Sequence, residues 1–172
     1  MRDLKALVFV IWVLLLAMVS SYGHANPVAN YKLVGKGQMT WFWFDVYKAK
    51  LLTPSGNYQK QTWPLALELI YQRDISRDDL IKATKDEWQR QQLNYQAQWL
   101  TKLEQIWPSV SENDSLLLFV DSDGVSHFYY NSVWAGAIKD PNFSGAFTAI
   151  WLSTNTLKPR LRDQLVGAVN KS

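Results

Sequence analysis

Residues 65–71 read LALELIY, with Leu65, Leu67, Leu69 and Tyr71 on one side of an extended backbone, and this alternation predicts a strand with one buried face. Similar patterning predicts strands over 31–34 and 38–52, and Gly35-Lys36-Gly37 between them reads as a glycine-flanked hairpin turn. Within the second of these stand Trp41, Phe42, Trp43 and Phe44. As one strand they would send Trp41, Trp43, Asp45 and Tyr47 to one face and Phe42, Phe44 and Val46 to the other. Both faces are then aromatic, which fits either two layers of core or a core on one side and an apolar guest on the other. After Asp74 the period changes. Ser76 with Asp79 approximates a capping box, and Leu80, Ile81, Thr84 and Trp88 recur at helical spacing. A second helix is expected over about 94–107, with Ala97, Leu100, Leu103, Ile106 and Trp107 as its apolar stripe and Pro108 as its stop.

Strands return over 115–120 (SLLLFV), 125–131 (VSHFYYN) and 133–138, the first two joined by Asp121-Ser122-Asp123-Gly124, where Asp123-Gly124 would supply positive φ angles. Asp140-Pro141 marks an N-cap and a first-turn proline, with Phe143, Ala146, Phe147, Ile150 and Trp151 giving the helical face. A last helix is expected over about 159–169. The order predicts an α+β fold: an antiparallel β-sheet with helices packed on one face.

The N-terminus changes how composition is read. Arg2 and Lys5 precede an apolar run over 6–19, and Gly23 and Ala25 supply small residues for cleavage, so residues 1–25 read as a secretory signal peptide and 26–172 as one exported, periplasmic domain. The run is short for a bilayer span, and no stable membrane span is expected after cleavage. Removing Arg2, Lys5 and Asp3 from the 18 basic and 15 acidic side chains leaves a net charge near +2, scattered rather than striped, which gives no support to a nucleic-acid partner. There is no cysteine, and so no disulfide or thiolate chemistry. Of the chain's aromatic residues (9 Trp, 8 Tyr and 7 Phe), all but Phe9, Trp12 and Tyr22 lie beyond residue 25, enough to wall a cavity and still stabilise a fold.

Candidate chemistry is sparse. His127 is the one histidine past residue 25, in a strand, and reads as a hydrogen-bonded structural residue. No metal or cofactor is implied: the Asp121–Gly124 stretch opens like a calcium loop, yet Ser132 stands where the bidentate glutamate belongs. Arg73, at the end of an apolar strand, suits a carboxylate or a polarised oxygen on a bound apolar molecule, or else an ion pair with Asp74, Asp78 or Asp79.

The segments FDVYKAKLLTP (44–54), LIYQRDIS (69–76), FYYNSVWAGAIKDPNFSGAFTAIWL (128–152) and LRDQLVG (161–167) resemble exported bacterial proteins of the chalcone isomerase-like family. The resemblance implies an open-faced sandwich with a cleft between sheet and helices, in a family that includes isomerases and non-catalytic fatty-acid binders. It also implies that the isomerase donors are missing. Phe42 stands at the threonine position before the G-V-Y motif (here D-V-Y, 45–47), no arginine lies within 31–41, and a gapless reading from Arg73 sets the helix tyrosine and asparagine near Leu80 and Glu87. Lost oxyanion donors remove the largest part of such a rate enhancement. The expectation is therefore a non-catalytic module for a small apolar carboxylate or lipid-like ligand, with Arg73, Tyr47, Tyr71, Tyr129, Phe42 and Trp43 as candidate binding residues. The alternatives are an isomerase or lyase with another residue set, and an envelope module that meets a polypeptide.

Overall fold

The computed structural model describes residues 27–168, so the expected signal peptide lies outside them. Six strands form one antiparallel meander in chain order: β1 (Lys32–Trp41), β2 (Phe44–Thr53), β3 (Leu65–Tyr71), β4 (Ser115–Val120), β5 (Ser126–Tyr130) and β6 (Val133–Ile138). Helices α1 (Arg77–Arg90) and α2 (Ala97–Ile106) are inserted between β3 and β4, and α3 (Pro141–Leu152) and α4 (Pro159–Leu165) follow β6. No described helix is long and apolar enough to cross a membrane.

The register lines up the apolar alternation of the central strands: Leu51 opposite Leu67, Leu67 opposite Leu118, and Leu118 opposite Phe128. That face meets the helices. The other carries Lys50 and Glu68, paired at 2.9 Å, together with His127 and Tyr129. Helix caps follow the local sequence. The Ser76 hydroxyl accepts the Asp79 amide N–H at 3.1 Å, and the Asp140 carboxylate accepts that of Asn142 at 3.0 Å, satisfying donors that a helix start leaves free. Trp88, Trp99, Phe143 and Phe147 then pack edge-to-face or stacked where α1, α2 and α3 meet, and burying each ring contributes about 2–3 kcal/mol. The two indoles are not left unpaired: Trp88 donates to the Ala146 carbonyl at 2.9 Å and Trp99 to Asp140 at 3.0 Å.

The structure corrects the first hairpin. Gly35 and Gly37 lie inside β1, and the turn falls at Phe42 and Trp43. The glycines serve a close approach rather than a bend: a Cβ on Gly35 would sit 2.0 Å from the Gln164 carbonyl oxygen, and one on Gly37 2.7 Å from Leu161 Cδ1, so α4 lies directly on β1. The run from Trp41 to Tyr47 is accordingly two strand ends and a turn. At Asp121–Gly124, Gly124 alone has positive φ, while Asp121 Oδ1 accepts the amides of Asp123 and Val125. Helix α2 is shorter than expected and buries Trp99 and Leu103.

Candidate ligand-binding site

Between the sheet and the helices lies a cavity of about 510 Å³. Its floor is the inward alternation of three strands: Leu67, Leu69 and Tyr71 from β3, Leu116 and Leu118 from β4, and Phe128 from β5. Its roof comes from Leu80, Thr84 and Glu87 of α1, from Phe147, Ile150 and Trp151 of α3, and from Trp107. Lining residues that are also exposed, among them Trp41, Ala83, Asp86 and Leu157, mark a mouth between α1, the β1–β2 hairpin and the segment joining α3 to α4.

The polar groups on this wall fall into two sets. The first is committed to the protein. Glu87, buried to 8% exposure, accepts Arg90 Nε and Nη2 at 2.8 Å each, Gln91 Nε2 at 2.8 Å and the Leu157 amide at 3.1 Å. Arg90 also donates to the Asn155 carbonyl, so this network ties α1 to the segment at the mouth. Burial alone would raise the Glu87 pKa, but these four hydrogen bonds and the Arg90 charge outweigh it and hold the carboxyl below its ordinary value. Thr84 and Thr156 hydroxyls donate to the Leu80 and Ile150 carbonyls at 2.9 and 2.6 Å.

The second set is uncommitted. The Trp151 indole donates to the Tyr47 hydroxyl at 2.8 Å, which leaves the phenol proton of Tyr47 free to donate. The Tyr71 ring stands 5.9 Å from that of Tyr47, and its hydroxyl has no hydrogen-bond partner among the described residues. The buried indole N–H of Trp107 likewise has none. Burial pushes the Tyr47 phenol up to about 12 and that of Tyr71 upward as well, so both are neutral donors near neutral pH.

The expected site residues separate accordingly. Tyr47 and Tyr71 line the cavity. Arg73 does not: β3 ends at Tyr71, the chain bends toward α1, and the guanidinium is exposed at 5.3 Å over the Phe44 ring, in neither of the expected settings. Tyr129 belongs to the opposite face, because its neighbour Phe128 takes the inward position. Phe42 and Trp43 are hairpin-tip residues, 76% and 82% exposed, and wall nothing. His127 is also on the outer face, bonded to Asp121 at 2.8 Å and stacked on Phe119, the structural setting expected of it. Trp107 and Trp151 were not anticipated as site residues; both sat in helical apolar stripes that read as core. Among the described residues no group of three or more His, Cys, Asp or Glu gathers as metal ligands would.

The model of a family described as chalcone isomerase-like matches residues 24–167. This chain belongs to the chalcone isomerase-like family. A protein of Haemophilus influenzae described as uncharacterized is 29% identical over 156 residues, 90% of this chain and 76% of that one. The crystal structure of a fatty-acid binding protein of Arabidopsis thaliana superposes with a TM-score of 0.64 over 81% of this chain and 88% of that one, at 9% identity, and shows the shared fold. Leu80 and Glu87, near which the sequence resemblance sets the missing donors, line the cavity, one as an alkyl wall and the other as a saturated carboxylate.

Proposed function

We propose that this protein is a non-catalytic carrier that holds one small, largely apolar, lipid-like molecule between its sheet and its helices, and that it works as an exported protein. The observation that carries the reading is the cavity: about 510 Å³, walled by leucine and aromatic side chains, within the range of concave sites that enclose small molecules. The uncommitted phenols of Tyr71 and Tyr47 refine it. An oxygen of a bound molecule that accepts from one of these hydroxyls contributes about 0.5–1.5 kcal/mol. The ligand is therefore apolar over most of its length, with one acceptor such as a carbonyl, hydroxyl or carboxyl. Arg90 is held by Glu87 and does not offer a charge to it. The reading is in keeping with the fatty-acid binding protein that shares this fold, and export rests on the charged, apolar and small-residue order of residues 1–25.

The test is native mass spectrometry on freshly purified protein with solvent extraction, followed by titration with a conjugated polyene fatty acid whose emission rises in apolar surroundings. One bound molecule per chain is expected, with Tyr71→Phe weakening the probe about three- to tenfold. No adduct and no saturable probe binding would refute it.

A further inference from the structure

The β1–β2 tip departs from what a hairpin needs for its own stability. A two-residue loop is best served by small residues that accept positive φ, and the β5–β6 loop follows this with Asn131 (φ 47) and Ser132 (φ 68). The β1–β2 loop instead puts Phe42 at φ 55, where a bulky side chain is strained, and follows it with Trp43. Around them Trp41 and Phe44 are 45% and 51% exposed, so four successive rings stand in solvent, each within 6.0 Å of the next. Neither fold stability nor solubility accounts for that choice.

Two cations rest against the same patch. Lys158 Nζ is 4.7 Å from the Trp41 ring centroid and donates to the Thr40 carbonyl, and Arg73 lies over Phe44. Asp45 is the single acid inside the tip segment 40–47. Indole and phenyl rings beside cationic heads match the boundary between acyl chains and phosphates. Trp41 and Lys158 also line the cavity, so the patch is continuous with its mouth.

We propose that the β1–β2 tip docks on a phospholipid bilayer, seating Phe42 and Trp43 at the interface with Lys158 and Arg73 at the headgroup phosphates, so that the cavity mouth opens onto the membrane. Docking stands on the tip alone; its use for loading a lipid rests on the function proposed above. The test is sedimentation of the full protein with phosphatidylcholine vesicles containing or lacking phosphatidylglycerol, for the parent, Phe42→Ser/Trp43→Ser, Arg73→Glu and Leu69→Trp. The parent should bind, several-fold more with the anionic lipid, with added salt removing that gain. The double variant should lose at least tenfold in partitioning while keeping the parent's unfolding midpoint and its affinity for the polyene probe, and Arg73→Glu should lose about threefold. Leu69→Trp, altered inside the cavity, should still sediment with vesicles. Absence of parent binding, or equal binding by the double variant, overturns docking. So does self-association of the parent that vanishes in the double variant without vesicle binding, which would make the tip a protein contact. Docking with no probe binding would instead count against the carrier reading alone.

Discussion

Removing the Glu87 carboxylate tests whether the mouth of the cavity is held by one buried network. In Glu87→Ala, Arg90 loses both of its bonds to the carboxylate, Gln91 keeps only the Ala149 carbonyl at 3.0 Å, and the Leu157 amide is left without an acceptor. Breaking a buried pair by deleting one partner costs about 3–5 kcal/mol. Arg90, with its side chain 35% exposed, can turn to water, which favours the lower end, about 3 kcal/mol. Glu87→Gln keeps one acceptor oxygen and most of the packing, and should cost about 1 kcal/mol. With a urea slope of about 2 kcal/mol/M, the midpoints should fall by roughly 1.5 M and 0.5 M. The sign of the pH effect follows from the lowered pKa: the stabilisation is present above the unfolded value and is lost as pH falls through the folded one. Urea midpoints measured from pH 7 down to pH 3 should therefore drop below about pH 4.5 in the parent and drop less in Glu87→Gln. The residual fall belongs to Asp114 and Asp121, which hydrogen bonds also hold below the ordinary range. A Glu87→Ala midpoint within about 0.3 M of the parent would refute the network's role.

Gly35→Ala places a methyl against the backbone oxygens of Gln164 and Leu165 at 2.0 and 2.6 Å, which no side-chain rotation relieves; a loss of about 2–3 kcal/mol in urea unfolding is expected, with amide exchange speeding up in α4 first. Tyr47→Phe strands the Trp151 indole N–H and should cost about 1–2 kcal/mol by thermal or urea unfolding. His127→Ala acts on the outer face, so polyene titration should return the parent affinity even if stability falls.

Strand β3 and the start of α1 were legible because their determinants are local: LALELIY alternates through its length, and Ser76 caps with its own side chain. The first hairpin was not. Glycine ordinarily marks a turn, but Gly35 and Gly37 answer to Leu161 and Gln164, more than a hundred residues away, and no local pattern encodes that contact. Arg73 failed for a related reason, since a bend after Tyr71 decides where the guanidinium goes and periodicity ends with the strand. The cavity wall was half readable. Tyr47 and Tyr71 followed from inward parity on β2 and β3, whereas Trp107 and Trp151 share helical spacing with true core residues such as Trp88 and Phe143. Periodicity reports which face is apolar and not whether that face meets protein or a guest.

That distinction is what Leu69→Trp decides. Leu69 lies on the cavity floor, and an indole there would occupy space the account assigns to the ligand. Measured side by side, polyene affinity should fall at least tenfold while the urea midpoint stays at or above that of the parent, because the added ring meets open volume. Unchanged probe affinity, or the loss of about 1–3 kcal/mol that overpacking a filled core produces, would contradict it.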